Sequence, residues 1–208
     1  NLHCFHILFR VMTEVDIQIR RAHSNEDYQA CVNLQKEVWQ YTEVEDIAPL
    51  PLLMVANRLG GSVLVAQEQT QRFVGFSFAL PGWRSDGSRI WWSHMTAVVH
   101  EYRNRDIGLA LKLRQREAAI AEGIAEIQWT FDPLQARNAN LNLRRLGAVA
   151  TEFFQNFYGV TSAALHHGLP TDRLLVHWRL EDPRVAELAQ QGEPPATVPT
   201  PAHPRINE

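Results

Sequence analysis

A single mixed α/β domain, with one mostly antiparallel sheet flanked by helices, is the fold this chain predicts. Three observations carry it. Short β-branched and aromatic runs alternate with amphipathic stretches of helical period, as strands and helices sharing one sheet do. The early runs follow one another across short polar turns, in the manner of hairpins. From Ile90 to Gly123, an apolar run passes through a short charged turn into a helix with hardly any linker.

Taken in order, Asp16 to Ala22 alternates and reads as a first strand. Asn25 is placed to cap a helix reaching Trp39, with Tyr28, Ala30, Cys31, Leu34 and Val38 as its apolar stripe. An acidic connection with Glu43, Glu45 and Asp46 follows, and Pro51 opens a short helix that Gly60-Gly61 ends. Ser62 to Gln67 and Phe73 to Leu80 are two strands about a polar turn, and Pro81-Gly82 with Asp86-Gly87 mark the next loop. The fourth strand starts at Ile90. In the helix after it, Ile107, Leu109, Ala110, Leu111, Leu113, Ile120 and Ala121 recur at helical spacing, and Gly123 supplies the stop.

Glu126 to Phe131 is a fifth strand, ended by Asp132-Pro133. Arg137 to Leu146 reads as a helix closed by Gly147, Val149 to Tyr158 as an aromatic strand, and Asp172 to Leu180 as the last strand. A terminal helix is expected from Asp182 to Gln190. Residues 191–208 are rich in Pro and polar side chains and are expected to form a tail. Residues 1–11 precede a Met-Thr-Glu and read as an extension, which leaves 12–190 as the domain. No internal repeat is present.

Composition narrows the function. The 208 residues, 45% hydrophobic and 21% charged, suit an ordinary globular domain. A formal net charge of −3 argues against nucleic-acid binding through a basic surface. No apolar run is long enough to span a bilayer. Cys4 and Cys31 are too few for a disulfide framework or a zinc site, which points to a reducing, cytoplasmic setting. His166-His167 suggests a metal pair, but adjacent histidines point apart and no carboxylate or cysteine cluster accompanies them. No metal is expected.

A strand running straight into a helix leaves the first backbone N–H groups of that helix unpaired and aimed at the turn. Those donors and the positive end of the helix dipole make an anion site, with phosphate the leading anion. Arg103 and Arg105 add charge in the same turn.

This element order, with Arg103-Asn104-Arg105-Asp106-Ile107-Gly108 between the fourth strand and its helix, resembles the GNAT superfamily of acyl-CoA-dependent N-acyltransferases. The turn of that family follows Gln/Arg-x-x-Gly-x-Gly/Ala, and Val98-Val99-His100-Glu101-Tyr102-Arg103 stands where its strand end and Tyr-Arg stand. Asp132 to Ala148, with its Asp-Pro-Leu, Arg-Asn-Ala and Arg-Leu-Gly-Ala segments, is similar to a bacterial GNAT subgroup. The resemblance covers roughly Ile17 to Leu180.

It implies a sheet splayed at the fourth and fifth strands and acetyl-CoA as co-substrate. Arg103, Asn104 and the backbone of Arg105, Asp106, Ile107, Gly108, Leu109 and Ala110 would hold the pyrophosphate. Thr96, Ala97 and Val98 would pair with the pantetheine arm, and Asn138 and Asn142 would lie near it and the thiol. The acyl carbonyl would sit in the splay. Two departures stand out. Asp106 replaces the first turn glycine; Asp tolerates a left-handed backbone, yet its carboxylate could also cap the helix and take the donors that phosphate would use. Leu143 stands, counting back from Leu146-Gly147, where many members carry a Tyr acid, and Tyr158 is the replacement candidate, against a plain packing role.

N-acylation needs the amine as free base, and a base is worth about 10²–10⁴-fold. His94, on the key strand and sharing the parity of Thr96 and Val98, is the leading base, against a hydrogen-bonded core histidine. Asp132 is second, against a plain turn residue. Glu43, Glu45 and Asp46 could attract a cationic amine or simply be solvated. Trp91 and Trp92 point to opposite faces, so one could wall a pocket while the other joins the core. The expected activity is direct transfer of an acetyl group to a primary amine of a small-molecule or peptide acceptor. The alternative is a degenerate acyl-CoA-binding or interaction module of the same fold. A homodimer is left open.

Overall fold

The computed structural model describes residues 9–12, 16–163 and 169–191. The greater part of the expected extension, the tail from residue 192 and the His166-His167 pair lie outside the described residues.

Alternation builds the first half of the sheet. Strand β2 (Asp16–Arg21) buries Ile17 and Ile19 and turns Gln18 to solvent. It pairs antiparallel with β1 (Phe9–Met12), so the sheet begins before Met12. Helix α1 (Asn25–Trp39) follows, one residue out from the expected cap. Ser24, not Asn25, is the N-cap: its hydroxyl accepts the Asp27 N–H at 3.2 Å and its own N–H donates back to the Asp27 carboxylate at 3.2 Å. This capping box fixes where the helix begins. Asp27 also takes both guanidinium nitrogens of Arg20, at 2.8 and 2.6 Å. Helix α2 (Leu50–Arg58) starts after Pro49, with Pro51 in its first turn.

Strand β3 (Ser62–Glu68) is buried throughout. Strand β4 (Phe73–Trp83) runs three residues beyond the expected end at Leu80: Pro81 and Gly82, expected in a loop, pair with Trp91 and Ile90 of β5 (Arg89–Val98). The ladder to β3 has already ended at Ala79, so beyond it β4 is an edge on that side and tolerates a proline.

After β5 come α3 (Ile107–Ala121) and β6 (Glu126–Phe131). Helix α4 opens as Ala136–Ala139 and continues with π geometry over Asn140–Arg145. Strands β7 (Val149–Phe154) and β8 (Arg173–Arg179) and helix α5 (Pro183–Gln191) complete the order. The sheet has eight strands in the order β1-β2-β3-β4-β5-β6-β8-β7, antiparallel at every junction but β5–β6. With β1 included, the expected fourth and fifth strands are β5 and β6. Two hydrophobic clusters divide the interior, one around Ile17, Val63, Phe76 and Phe78, the other around Trp91, Trp129, Trp178 and Leu180. None of the described helices is long and apolar enough to cross a membrane.

Candidate active site

The parallel seam between β5 and β6 is short. Only Trp91 with Ile127 and Trp92 with Gln128 are in register. From Ser93 to Val98, β5 stays laddered to β4 and parts from β6. The splay expected from the family resemblance is therefore present, and among the described residues no strand pairs with the β6-facing edge of Thr96, Ala97 and Val98.

A bulge lies at the same place. The β4–β5 register shifts between Phe78 and Ala79, so Met95 faces Phe78, Ser93 faces Ala79 and His94 is the extra residue. An extra residue breaks the two-residue alternation of a strand. Thr96 bonds the Ser77 hydroxyl at 3.3 Å, whereas the His94 ring meets Phe78 edge-on at 5.8 Å. Ser77 and Phe78 are successive strand residues and point to opposite faces. The expectation that His94 shares the face of Thr96 fails here. His94 lies instead on the side of Trp39, which meets Phe76 from α1. No described group hydrogen-bonds its ring, and burial holds its pKa below the ordinary histidine value.

The charged turn resolves the question about Asp106. The residue sits at φ 56°, in the left-handed region where the family pattern has glycine, and serves as N-cap of α3 without any side-chain cap bond. Its carboxylate turns away to the Arg145 guanidinium of α4, bonded twice, with Nη2 to Oδ2 at 3.0 Å. That hydrogen bond holds the Asp106 pKa below the usual carboxylate range. The first intrahelical bond runs from Ala110 N–H to Asp106 C=O at 2.9 Å, so the N–H groups of Ile107, Gly108 and Leu109 face the turn without helical partners. Arg103 Nε donates to Val98 C=O at 3.3 Å, which ties the turn to the end of β5. Arg105 stacks over the Tyr102 ring at 5.0 Å, and Asn104 takes the other left-handed position of the turn. On α4, Asn138 is exposed and Asn142 is buried.

On the His94 face, Trp92 stacks on Phe157 at 6.4 Å and Phe157 meets Tyr158 edge-on at 4.7 Å. The Tyr158 hydroxyl lies 3.3 Å from Thr130 Oγ1 on β6, and Arg173 covers its ring at 5.4 Å. Trp91 instead joins the core, wholly buried, its indole N–H donating to Gly60 C=O at 2.8 Å. The loop after β7 is fastened to the connection before α2. Ser162 bonds Asp46 through its N–H (2.7 Å) and its hydroxyl (2.5 Å), and Ser162 Oγ accepts the N–H groups of Thr42 and Glu43. Asp46 thus bridges two loops, while Glu43 and Glu45 are exposed. Asp132 accepts the Leu134 N–H at 2.8 Å, an Asx turn at the end of β6.

Sequence reasoning passed over a polar group under the other face. Lys112 of α3, 3% exposed, donates to Ser93 Oγ at 2.7 Å and to Gln115 Oε1 at 3.4 Å, and its ammonium lies 3.8 Å from the Trp129 ring centroid. Gln115 Nε2 donates on to Ser77 Oγ at 2.9 Å. Burial pulls the Lys112 pKa down to about 7. The signal was available: a lysine between Leu111 and Leu113, inside the apolar stripe of α3.

No family model matches this sequence and no curated protein is similar to it. Solved structures are. A GNAT-family acetyltransferase from Streptococcus pneumoniae is 18% identical with a TM-score of 0.61, over 77% of this chain and 98% of the other. The ribosomal-protein-S18-alanine N-acetyltransferase of Escherichia coli is 13% identical, TM-score 0.61, over 79% and 94%. A GNAT acetyltransferase from Elizabethkingia anophelis with acetyl-CoA bound is 15% identical, TM-score 0.58, over 78% and 97%. The chain has the GNAT acetyltransferase fold.

Proposed function

We propose that the protein is an N-acetyltransferase that moves an acetyl group from acetyl-CoA directly to a primary amine. The observation that carries this reading is the parting of β5 from β6 after Trp92, beside the open N-terminus of α3. An extended pantetheine arm can add to the free edge of Thr96 to Val98, as a strand would. The N–H groups of Ile107, Gly108 and Leu109, with Arg103 and Arg105 nearby, suit a pyrophosphate. Because the Asp106 carboxylate is engaged by Arg145, it leaves those donors to the phosphate.

The acceptor would enter from the opposite face, between His94 and the Trp92–Phe157–Tyr158 aromatic group. His94, neutral through the physiological range, would take the proton of the incoming amine, directly or through one water. Tyr158, on the same side, would position the acceptor. Asp132, committed to its turn, would act only on substrate at the C-terminal end of β6. Direct transfer needs no enzyme nucleophile, and Cys31, the cysteine in view, is buried with its thiol pushed up to about 12. The scarcity of cysteine favours a cytoplasmic setting.

Calorimetry with acetyl-CoA is the first test: saturable binding is expected, and none at millimolar ligand would overturn the reading. Transfer is then assayed over a panel of small amines and peptides with wild type and His94→Ala. The variant should lose about 10²–10⁴-fold in rate. The acid limb of the wild-type profile should fall below the ordinary histidine value of about 6.5, because burial lowers the pKa and the free base persists to lower pH. An unaltered rate and profile in the variant would remove His94 from the mechanism.

A further inference from the structure

Lys112 is buried, and among the described residues no carboxylate pairs with it. An ammonium has hydrogens to give and no lone pair to accept with. Its partners are Ser93 Oγ on β5, Gln115 Oε1 on α3 and the face of Trp129 on β6, all uncharged. Gln115 leads to Ser77 on β4, also uncharged, and His94 lies across the sheet. While Lys112 is charged it can only donate, so Ser93 Oγ accepts and the Ser93 hydrogen points elsewhere. Ser93 directly follows Trp92, the last residue of β5 paired with β6, and is 4% exposed. A pantetheine arm running from Val98 through Thr96 would bring its thioester to this end of the opening.

We propose, building on the acetyltransferase reading, that Ser93 is the acid that receives the leaving thiolate and that Lys112 is the positioning residue that polarises and recharges it. The acceptor nitrogen bonds to the thioester carbonyl carbon, the C–S bond breaks and its electron pair stays on sulfur. The Ser93 hydrogen passes to sulfur, giving the CoA thiol, and Ser93 Oγ takes a hydrogen from Lys112, which is left as a neutral amine. The proton shed by the acylated nitrogen leaves through His94 or water, and Lys112 regains one from water after product release. An amine brought near neutrality by burial can make both exchanges at physiological pH. A hydroxyl whose oxygen already accepts from an ammonium is also a stronger donor than a lone serine. The pair fills the role left open where Leu143 stands.

The test needs no acceptor. CoA bound to the full chain is titrated by thiolate absorbance, with desulfo-CoA as blank. Because the thiolate in turn holds the Lys112 ammonium charged, the bound thiol should ionise about 1–3 pH units below free CoA, as beside a close cation. It should return to the free value or above in Lys112→Met, and lose part of the shift in Ser93→Ala, which keeps the ammonium. An unshifted thiol in wild type, or a full shift surviving in Lys112→Met, overturns the proposal. Should Lys112→Met fail to fold by thermal melting, Lys112→Gln and Ser93→Ala carry the same comparison. Absence of CoA binding altogether would sink the acetyltransferase reading instead, so the two failures are told apart.

Discussion

The two halves of the sheet are built differently. From β1 to β5 the ladder is continuous and antiparallel, and helices α1 and α2 cover one of its faces. Ile17, Ile19, Val63, Val65, Phe76 and Phe78 fill that half. From β6 to β8 the strands are fewer, and the interior is dominated by tryptophan: Trp129 meets Trp178 edge-on at 5.9 Å, and Val185 of α5 packs alongside. Helix α3 spans both halves, giving Ile107 and Leu111 to the first cluster and Leu109 and Leu113 to the second, so the seam between the strands need not be long. That is the lesson of the contrast: a cleft can be left open through the middle of a sheet when a helix packed across both sides carries the burial that paired strands would otherwise supply.

Trp91 crosses the divide, as the smaller Ala79 does, because its strand belongs to the first half and its side chain to the second cluster. Trp91→Ala should therefore have the largest effect, about 3–5 kcal/mol from an empty volume and a lost contact. Denaturant melts followed by two probes, one per half, would check it; coincident transitions with little loss would show that the halves do not lean on this residue.

Asp27→Ala should cost about 3 kcal/mol, since it leaves the Arg20 guanidinium without its carboxylate, with Gln67 as a neutral partner, and removes the capping box. Burial opposes the ionisation of Asp27, but the Arg20 hydrogen bonds and the N–H groups of His23 and Ser24 outweigh it and hold its pKa far below the usual carboxylate range. The unfolded chain therefore binds this proton more tightly than the folded one. The stabilisation is complete above the unfolded carboxylate value of about 4 and is lost as pH falls below it. Hydrogen exchange should place the damage of Asp27→Ala in β2 and α1, with β6 to β8 spared.

Ser162→Ala unfastens the loop after β7 from the connection before α2. A several-fold rise in acceptor KM is expected, with acetyl-CoA affinity unmoved; a change in cofactor affinity alone would contradict the separation of the two faces. Asp106→Gly should have the smallest effect. The carboxylate rests on Arg145 rather than on the helix donors, so CoA affinity by calorimetry should stay within about threefold, an effect under 1 kcal/mol.

Much of this was legible in the residues. Alternation located β2, helical period located α1 and α3, and the charged turn located the anion site. What escaped has a common cause. At His94 one extra residue interrupts a period of two, and in α4 the Leu146 N–H reaches back to Leu141 C=O at 2.9 Å, interrupting a period of 3.6. Counting along a chain cannot see an inserted residue. Hence His94 lies on the face opposite Thr96, and in α4 Asn142 is buried while Leu143 is only partly so. Lys112 escaped for another reason: a charged residue inside an apolar stripe is read as noise until its partners are in view.

The wide turn of α4 carries a consequence for lineage. A π segment holds one residue more than the α-helix it interrupts, so removing a single codon between Asn140 and Arg145 would restore regular winding. Everything beyond the excision would then rotate about the axis by one residue's step, and Arg145 would swing away from Asp106 while the sheet stayed as it is. A relative lacking that codon should carry glycine, not aspartate, at the turn. The two positions would be inherited as a pair, although 39 residues of chain separate them.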